Sequence, residues 1–366
     1  MLEAQTIHAP EFQSDLRWIN SDPLTLRGLR GKVVLVDFWD YTCVNCVRTL
    51  PYVVEWASKY KDRGLVTIGV HAPEFEFARE GRQIEKACAD FKIDYPVVLD
   101  NAYDIWQAFD NKGWPSKFLV DAQGYIRFDH LGEGEYLRTE MTIQAALREA
   151  NPATFKPLPF TNPKRGEDSP GALCYRPTPE LHMGYERSDL GNKEGVEKSV
   201  VIFYQDDGVR EDKHVYVQGA WRSQDEYIEL AGSQGTLAFT YKAKEVNLVM
   251  SPTGDTTELM LQGQGAVLIN VETRAKRVAS SQAVFLQPTV SIMQDGAPLP
   301  RENAGADVVF DAQGNATIQP DRPRMYRLIN NPDFEEHEVK LFVQGKGFAA
   351  YAASFTTCVA PQAAKK

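Results

Sequence analysis

The chain has 366 residues, 43% of them hydrophobic and 25% charged, with a formal net charge of −10 at pH 7. That length exceeds what one core usually holds, so two or three domains are expected, and the apolar share marks a globular chain and not a disordered one. The negative balance, with no basic run and no aromatic–basic interleaving, argues against nucleic acid as a partner and disfavours anionic membrane surfaces.

In chain order, the first twenty residues carry Glu3, Glu11, Asp15 and Arg17 and no apolar run. No signal peptide is therefore read, no stretch approaches membrane-spanning length, and a soluble cytoplasmic chain is expected. Alternating elements follow: a strand over 33–38, a helix over 46–62, a strand over 65–70, a helix over 76–91, a strand over 96–99 and a short helix over 102–109. A strand over 117–120, a turn at Gln123-Gly124, a strand over 125–130 and a helix over 135–149 complete the series.

The apolar, β-branched run Val33-Val34-Leu35-Val36-Asp37-Phe38-Trp39 leads straight into Cys43-Val44-Asn45-Cys46. A thiol where a strand feeds a helix meets the free N–H groups and the dipole of the first turn, which favour thiolate. Two cysteines separated by two residues close a small disulfide with little backbone movement, so the pair can alternate between dithiol and disulfide. Asp37 lies inside the apolar run, where burial should raise its pKa and let it exchange a proton with Cys46. Pro51 falls on the helix, where a kink is expected. Trp114-Pro115, at the mouth of the strand Lys117-Phe118-Leu119-Val120, is a candidate cis peptide. Pro115 and Trp114, with Trp39, are expected to frame the thiols and the groove where substrate lies. Cys43 is read as the attacking thiol and Cys46 as the resolving one. Val44-Asn45 places no cationic side chain between them, which argues for a reductant or mild exchanger over a strong oxidant.

Those features together resemble the thioredoxin superfamily over roughly residues 10–150: the Asp inside the strand, Phe-Trp, CxxC, the helix Pro and the late Pro before a strand. The extra helix and strand around 76–99 and the lead-in Leu26-Arg27-Gly28-Leu29-Arg30-Gly31-Lys32 are similar to the TlpA and ResA branch.

A domain boundary is expected near 150–175. Asn151-Pro152 ends a helix, and Pro157, Pro159, Pro163 and Pro170 punctuate a segment with little periodicity. Beyond it, Thr236-Leu237-Ala238-Phe239-Thr240-Tyr241, Val246-Asn247-Leu248-Val249-Met250 and Glu338-Val339-Lys340-Leu341-Phe342-Val343 alternate at period two. The expected architecture is an α/β thioredoxin-like domain over 1–150, a Pro-rich linker over 151–175, an all-β, jelly-roll-like sandwich over 176–360, and a tail over 361–366.

The whole chain resembles the soluble region of DipZ-type thiol-disulfide reductases, in which a TlpA-like domain precedes a sandwich similar to a carbohydrate-binding module. The matching stretches are Ile68-Gly69-Val70-His71-Ala72-Pro73-Glu74-Phe75, Gly132-Glu133-Gly134-Glu135-Tyr136, Thr178-Pro179-Glu180 and Tyr351-Ala352-Ala353-Ser354-Phe355. DipZ-type proteins carry a multi-span membrane domain ahead of this region, which is not in this sequence. The resemblance implies protein disulfides as substrates, a membrane thiol reductase as electron donor, a carbohydrate ligand for the second domain, and the cell envelope as compartment.

No second Cys or His pair sits at ligand spacing, so neither zinc nor any cofactor is expected. His71, ending a strand parallel to 33–38, should emerge on the active-site edge, with Glu74 beside it. A structural role suits both better than a catalytic one. Cys88 shares a helical face with Ile84, Ala87 and Phe91, the spacing of a core stripe. Cys174 and Cys358 bracket the second domain and form a candidate structural disulfide. Two rival functions stand beside exchange. A peroxiredoxin-like peroxidase would carry Pro-x-x-x-Thr-x-x-Cys, which Trp39 and Asp40 interrupt. A glycan-binding protein would use exposed aromatics such as Trp221 and Tyr227.

Overall fold

The computed structural model describes all residues except 1, 3, 14, 254–286 and 362–366. It divides into two compact units, Met1–Ala172 with Ala360–Lys366, and Leu173–Val359. The tail expected at 361–366 lies, apart from Pro361, outside the described residues.

In the first unit β1 (Trp18–Ile19), β2 (Val33–Trp39), α1 (Val44–Tyr60), β3 (Leu65–His71), α2 (Gly81–Asp90) and β4 (Val97–Leu99) follow one another. Then come α3 (Asp104–Ala108), β5 (Ser116–Val120), β6 (Ile126–Leu131) and α4 (Tyr136–Ala150). The strands form one sheet in the order β1-β4-β3-β2-β5-β6. β2, β3 and β4 run parallel; β5 is antiparallel to β2, and β6 is antiparallel to β5. A mixed sheet of this kind takes helices on both faces, so its central strand has two apolar sides. Every residue of β2 is buried. Val33, Leu35 and Trp39 enter the core shared with α1 and α4, and Val34, Val36 and Phe38 enter the opposite core with Ile105 and Phe109.

The proline-rich segment expected as a linker belongs instead to the first unit as far as residue 172. Side chains of α1 and α4 satisfy its backbone. Gln144 Nε2 donates to Leu158 O at 2.9 Å, Thr161 N to Glu140 Oε2 at 2.7 Å, and Lys164 N to Tyr52 OH at 2.7 Å. Prolines cannot donate, so such a segment has fewer backbone groups to satisfy when it packs against a surface.

The second unit contains β7 (Leu181–His182), β8 (Val201–Tyr204), β9 (Tyr216–Ser223), β10 (Ile228–Pro252) and β11 (Thr289–Gln294). β12 (Ala297–Pro298), β13 (Val309–Phe310), β14 (Ala316–Ile318), β15 (Arg324–Gln344) and β16 (Phe348–Thr356) complete it. Among the described residues these ten strands are hydrogen-bonded into one antiparallel sheet, and the expected all-β domain is what the structure has. β10 and β15 pair from Gln234↔Gln344 to Met250↔Arg324, with register shifts at Ala243/Glu245 and Val246/Asn247. Such bulges bend a strand pair. β10 curls so far that Ile228 and Met250, near its two ends, both pair with Ala350 of β16. The sheet thereby wraps one core that includes Trp221, Phe239, Tyr241, Tyr326 and Phe348. Cys174 and Cys358, at the two ends of this unit, are joined by a disulfide across 184 residues of sequence.

Candidate active site

Cys43 sits at the N-cap of α1, half-buried, and Cys46 is buried in the first turn. Cys43 Sγ accepts from Cys46 N at 3.2 Å, so the sulfur takes a donor that a helix leaves free at its start. Both thiols are free, and Cys46 Sγ lies 2.6 Å from Cys43 Sγ. Burial pushes the Cys46 thiol well up, and its hydrogen bond to Cys43 adds to that. Cys46 therefore needs help to give up its proton, while Cys43 is the sulfur that solvent reaches.

Asp37 is 1% exposed on β2, on the face that α1 covers. Burial raises its carboxyl from 3.8 to about 7, against the pull of Lys117. Lys117 is the antiparallel partner of Asp37 on β5 and is fully buried. Burial lowers its ammonium, and Asp37, Cys46 and Glu133 hold it back up, in that order. The sequence reading took Lys117 as part of an apolar strand and missed it. A charged residue inside an apolar run was the signal used for Asp37 and applies equally here.

The Trp114-Pro115 peptide is cis. Pro115 is buried and Trp114 half-buried. Pro115 O accepts from Gly132 N at 2.7 Å, Ser116 Oγ donates to Gly113 O at 2.8 Å, and Trp114 Nε1 donates to Ala72 O at 3.0 Å, fixing the loop. Trp114 and Cys43 both pack, partly buried, against the core that α1 shares with β2. Trp39, expected to touch substrate, is 0% exposed and cannot do so. Its ring lies inside, over Gly69, whose missing side chain makes the room: a Cβ there would meet Trp39 Nε1 at 2.9 Å.

His71 does not emerge at the edge. It is fully buried, its Nε2 3.7 Å from Asp40 Oδ1 and its ring 5.2 Å from that of Trp39. Burial keeps its imidazole below the usual value, against the attraction of Asp40. Asp40 is held by Thr42 N at 2.9 Å and by Glu74 N. The pair braces the turn between β2 and α1. Cys88 is 3% exposed, and burial pushes its thiol to about 12, as a core residue requires. In the second unit Trp221 is 0% exposed and is no sugar platform; Tyr227 is half-buried against Tyr351, 4.9 Å between rings.

A strand that leads into CxxC at a helix start, a buried carboxyl on that strand, a cis-proline before β5 and this strand order define a thioredoxin-superfamily redox domain. The chain belongs to that superfamily, in its TlpA/ResA-like, DipZ-type branch. Residues 6–147 match the family model described as Redoxin, and residues 178–282 the one described as thioredoxin-like C-terminal domain. Protein DipZ of Mycobacterium tuberculosis is 33% identical over 264 residues, covering 71% of this chain and 37% of that protein. The chain thus spans well under half the length of the DipZ proteins it matches. The thiol-disulfide oxidoreductase YkuV of Bacillus subtilis is 26% identical over 140 residues, covering 38% of this chain and 94% of that one. Among solved structures, the thioredoxin domain of a thiol-disulfide oxidoreductase from Bacteroides vulgatus is similar, with 27% identity and a TM-score of 0.32. That match covers 38% of this chain and 96% of the other. No helix among the described residues is long and apolar enough to cross a membrane.

Proposed function

We propose that this chain is a thiol–disulfide oxidoreductase that reduces protein disulfides through Cys43 and Cys46. The observation that carries the reading is the vertical order of the site: a half-buried sulfur at a helix N-cap, a buried sulfur 2.6 Å away, and a fully buried carboxyl raised to about 7 on the strand below. Cys43 thiolate attacks a substrate sulfur, forming a mixed disulfide and releasing the first substrate thiolate. Asp37 carboxylate takes the Cys46 proton. Cys46 thiolate then attacks Cys43 Sγ, closing the Cys43–Cys46 disulfide and releasing the second substrate thiolate, which is protonated from Asp37 or water. Two electrons pass from the dithiol to the substrate, and an external dithiol donor restores the pair. A membrane thiol reductase is the donor this reading proposes. Pro115 and Trp114 form the wall beside Cys43 along which an extended substrate backbone pairs.

The Cys174–Cys358 disulfide supports an oxidising compartment such as the cell envelope, since such bonds persist poorly among cytosolic reductants. An insulin-reduction assay with dithiothreitol as donor tests the function. Turnover above the dithiothreitol background is expected, abolished in Cys43→Ser. Equal turnover in both proteins, or peroxide consumption in place of disulfide reduction, would overturn it.

A further inference from the structure

The loop that leaves β6 is fastened to Pro115. Leu131, the last residue of β6, pairs with Ser116, and Gly132 N donates to Pro115 O at 2.7 Å. Gly132 and Gly134 then both take φ 96°. Two glycines leave such a loop free to adopt many shapes, so something outside it must select one.

Glu133, between those glycines, is what the rest of the domain grips. Arg48 Nε donates to its Oε1 at 2.8 Å and Arg165 Nη2 to the same oxygen at 2.9 Å. Arg48 lies on α1, two residues after Cys46, and is 8% exposed. Arg165 lies on the proline-rich segment beyond α4. Its Nη1 donates to Arg48 O at 2.8 Å and its Nη2 to Asp168 Oδ1 at 2.9 Å. Asp168 in turn accepts from Tyr52 OH of α1 at 2.7 Å, and Arg48 Nη2 reaches Glu167 Oε1 at 3.3 Å.

One guanidinium thus joins three parts of the chain: α1, the loop after β6, and its own segment. Charge-assisted bonds from a planar guanidinium fix geometry as well as adding energy. Arg48 O and Asp168 already tie Arg165 to α1 and to its own segment, so the bond to Glu133 serves the loop.

We propose that Arg165 is a positioning residue for substrate: with Arg48 it clamps Glu133, and so sets the loop that is bonded to Pro115 and the shape of the groove through which a protein disulfide reaches Cys43. The inference rests on the exchange function above. A protein disulfide enters with its flanking backbone and depends on that groove, whereas a small disulfide needs little more than an accessible sulfur. The segment after α4, far from CxxC in sequence, thereby becomes part of the redox site.

The test compares two rate constants of the pre-reduced full chain, one with insulin and one with 5,5′-dithiobis(2-nitrobenzoate), and reads their ratio. Arg165→Gln should lower the insulin-to-small-disulfide ratio by about fivefold or more. Arg165→Lys, which keeps a charge on Glu133, should recover part of it. Glu133→Gln should lower the ratio as far, and the double variant no further, because both break one contact. Arg63→Gln is the control. Arg63 Nη1 holds Lys156 O of the same segment at 3.2 Å, but just before β3, at the opposite end of β2 and β3 from Cys43. Its ratio should stay at the wild-type value. A wild-type ratio in Arg165→Gln and Glu133→Gln, or an equal fall in Arg63→Gln, would overturn the proposal.

Amide exchange of Gly132 in reduced protein, read by NMR, needs no turnover. It should quicken by about tenfold or more in Arg165→Gln, and a wild-type rate there would also overturn the proposal. A wild type that leaves insulin disulfides intact, while Gly132 exchange still quickens in Arg165→Gln, would overturn the function and leave the clamp standing.

Discussion

Asp37 and Lys117 face each other across β2 and β5, both buried and on the same face of the sheet, one on each strand of the pair. A buried acid raised from 3.8 to about 7 has a stability signature. Between those pH values the native protein keeps a proton that the unfolded chain has lost, so stability falls as pH rises through that window. The penalty is complete above pH 7 and amounts to at most about 4 kcal/mol. Asp37→Asn should match the wild type near pH 4 and exceed it above pH 7, less what Lys117 loses with its partner. Urea denaturation at a series of pH values checks this; parallel curves for the two proteins would contradict it.

The three free cysteines should react in the order of their exposure. With iodoacetamide under native, reduced conditions, Cys43 labels first and Cys46 far more slowly. Cys88, 3% exposed with its thiol pushed to about 12, labels only on unfolding. Peptide mass spectrometry reads the order, and early labelling of Cys88 would contradict the core assignment.

Cys174 and Cys358 close a loop of 184 residues. In the chain-entropy view such a link stabilises its domain by up to about 5 kcal/mol. The double Ser variant should lower the denaturation midpoint of the second unit substantially while leaving Cys43–Cys46 chemistry unchanged. Non-reduced wild-type protein should show neither cysteine as a free thiol.

Gly69→Ala places a methyl 2.9 Å from Trp39 Nε1 and 3.2 Å from both Tyr95 and Val97 side chains. Overpacking of this kind costs about 1–3 kcal/mol. Because Asp37 is the β3-facing neighbour of Gly69, the variant should also disturb the pH profile, which a surface Gly→Ala change would not.

The parallel strands and α1 were legible because β2 and β3 are apolar on both faces and CxxC marks the helix start. Asp37 was legible as a carboxylate inside such a run. Lys117 carries the same signal, a lone charge in an apolar run, but its place opposite Asp37 is visible only once the strands are paired. The helix expected over 76–91 is divided: a 3-10 turn over Glu76–Arg79 precedes α2, with Glu80 extended between them. The alternating runs 236–241 and 246–250 belong to one strand, β10, which a bulge between Ala243 and Glu245 carries through. The packed segment near 151–172 was hidden for a different reason. Its prolines read as a linker, and only side chains from α1 and α4, distant in sequence, show what holds it.

The most direct measurement is capture of the exchange intermediate with Cys46→Ser, which removes the resolving sulfur and leaves Cys43 in place. Incubated with a disulfide-bonded protein and analysed without reduction, the variant is expected to hold the substrate in a mixed disulfide at Cys43. No adduct, or an adduct on Cys88, would contradict electron transfer through the Cys43–Cys46 pair.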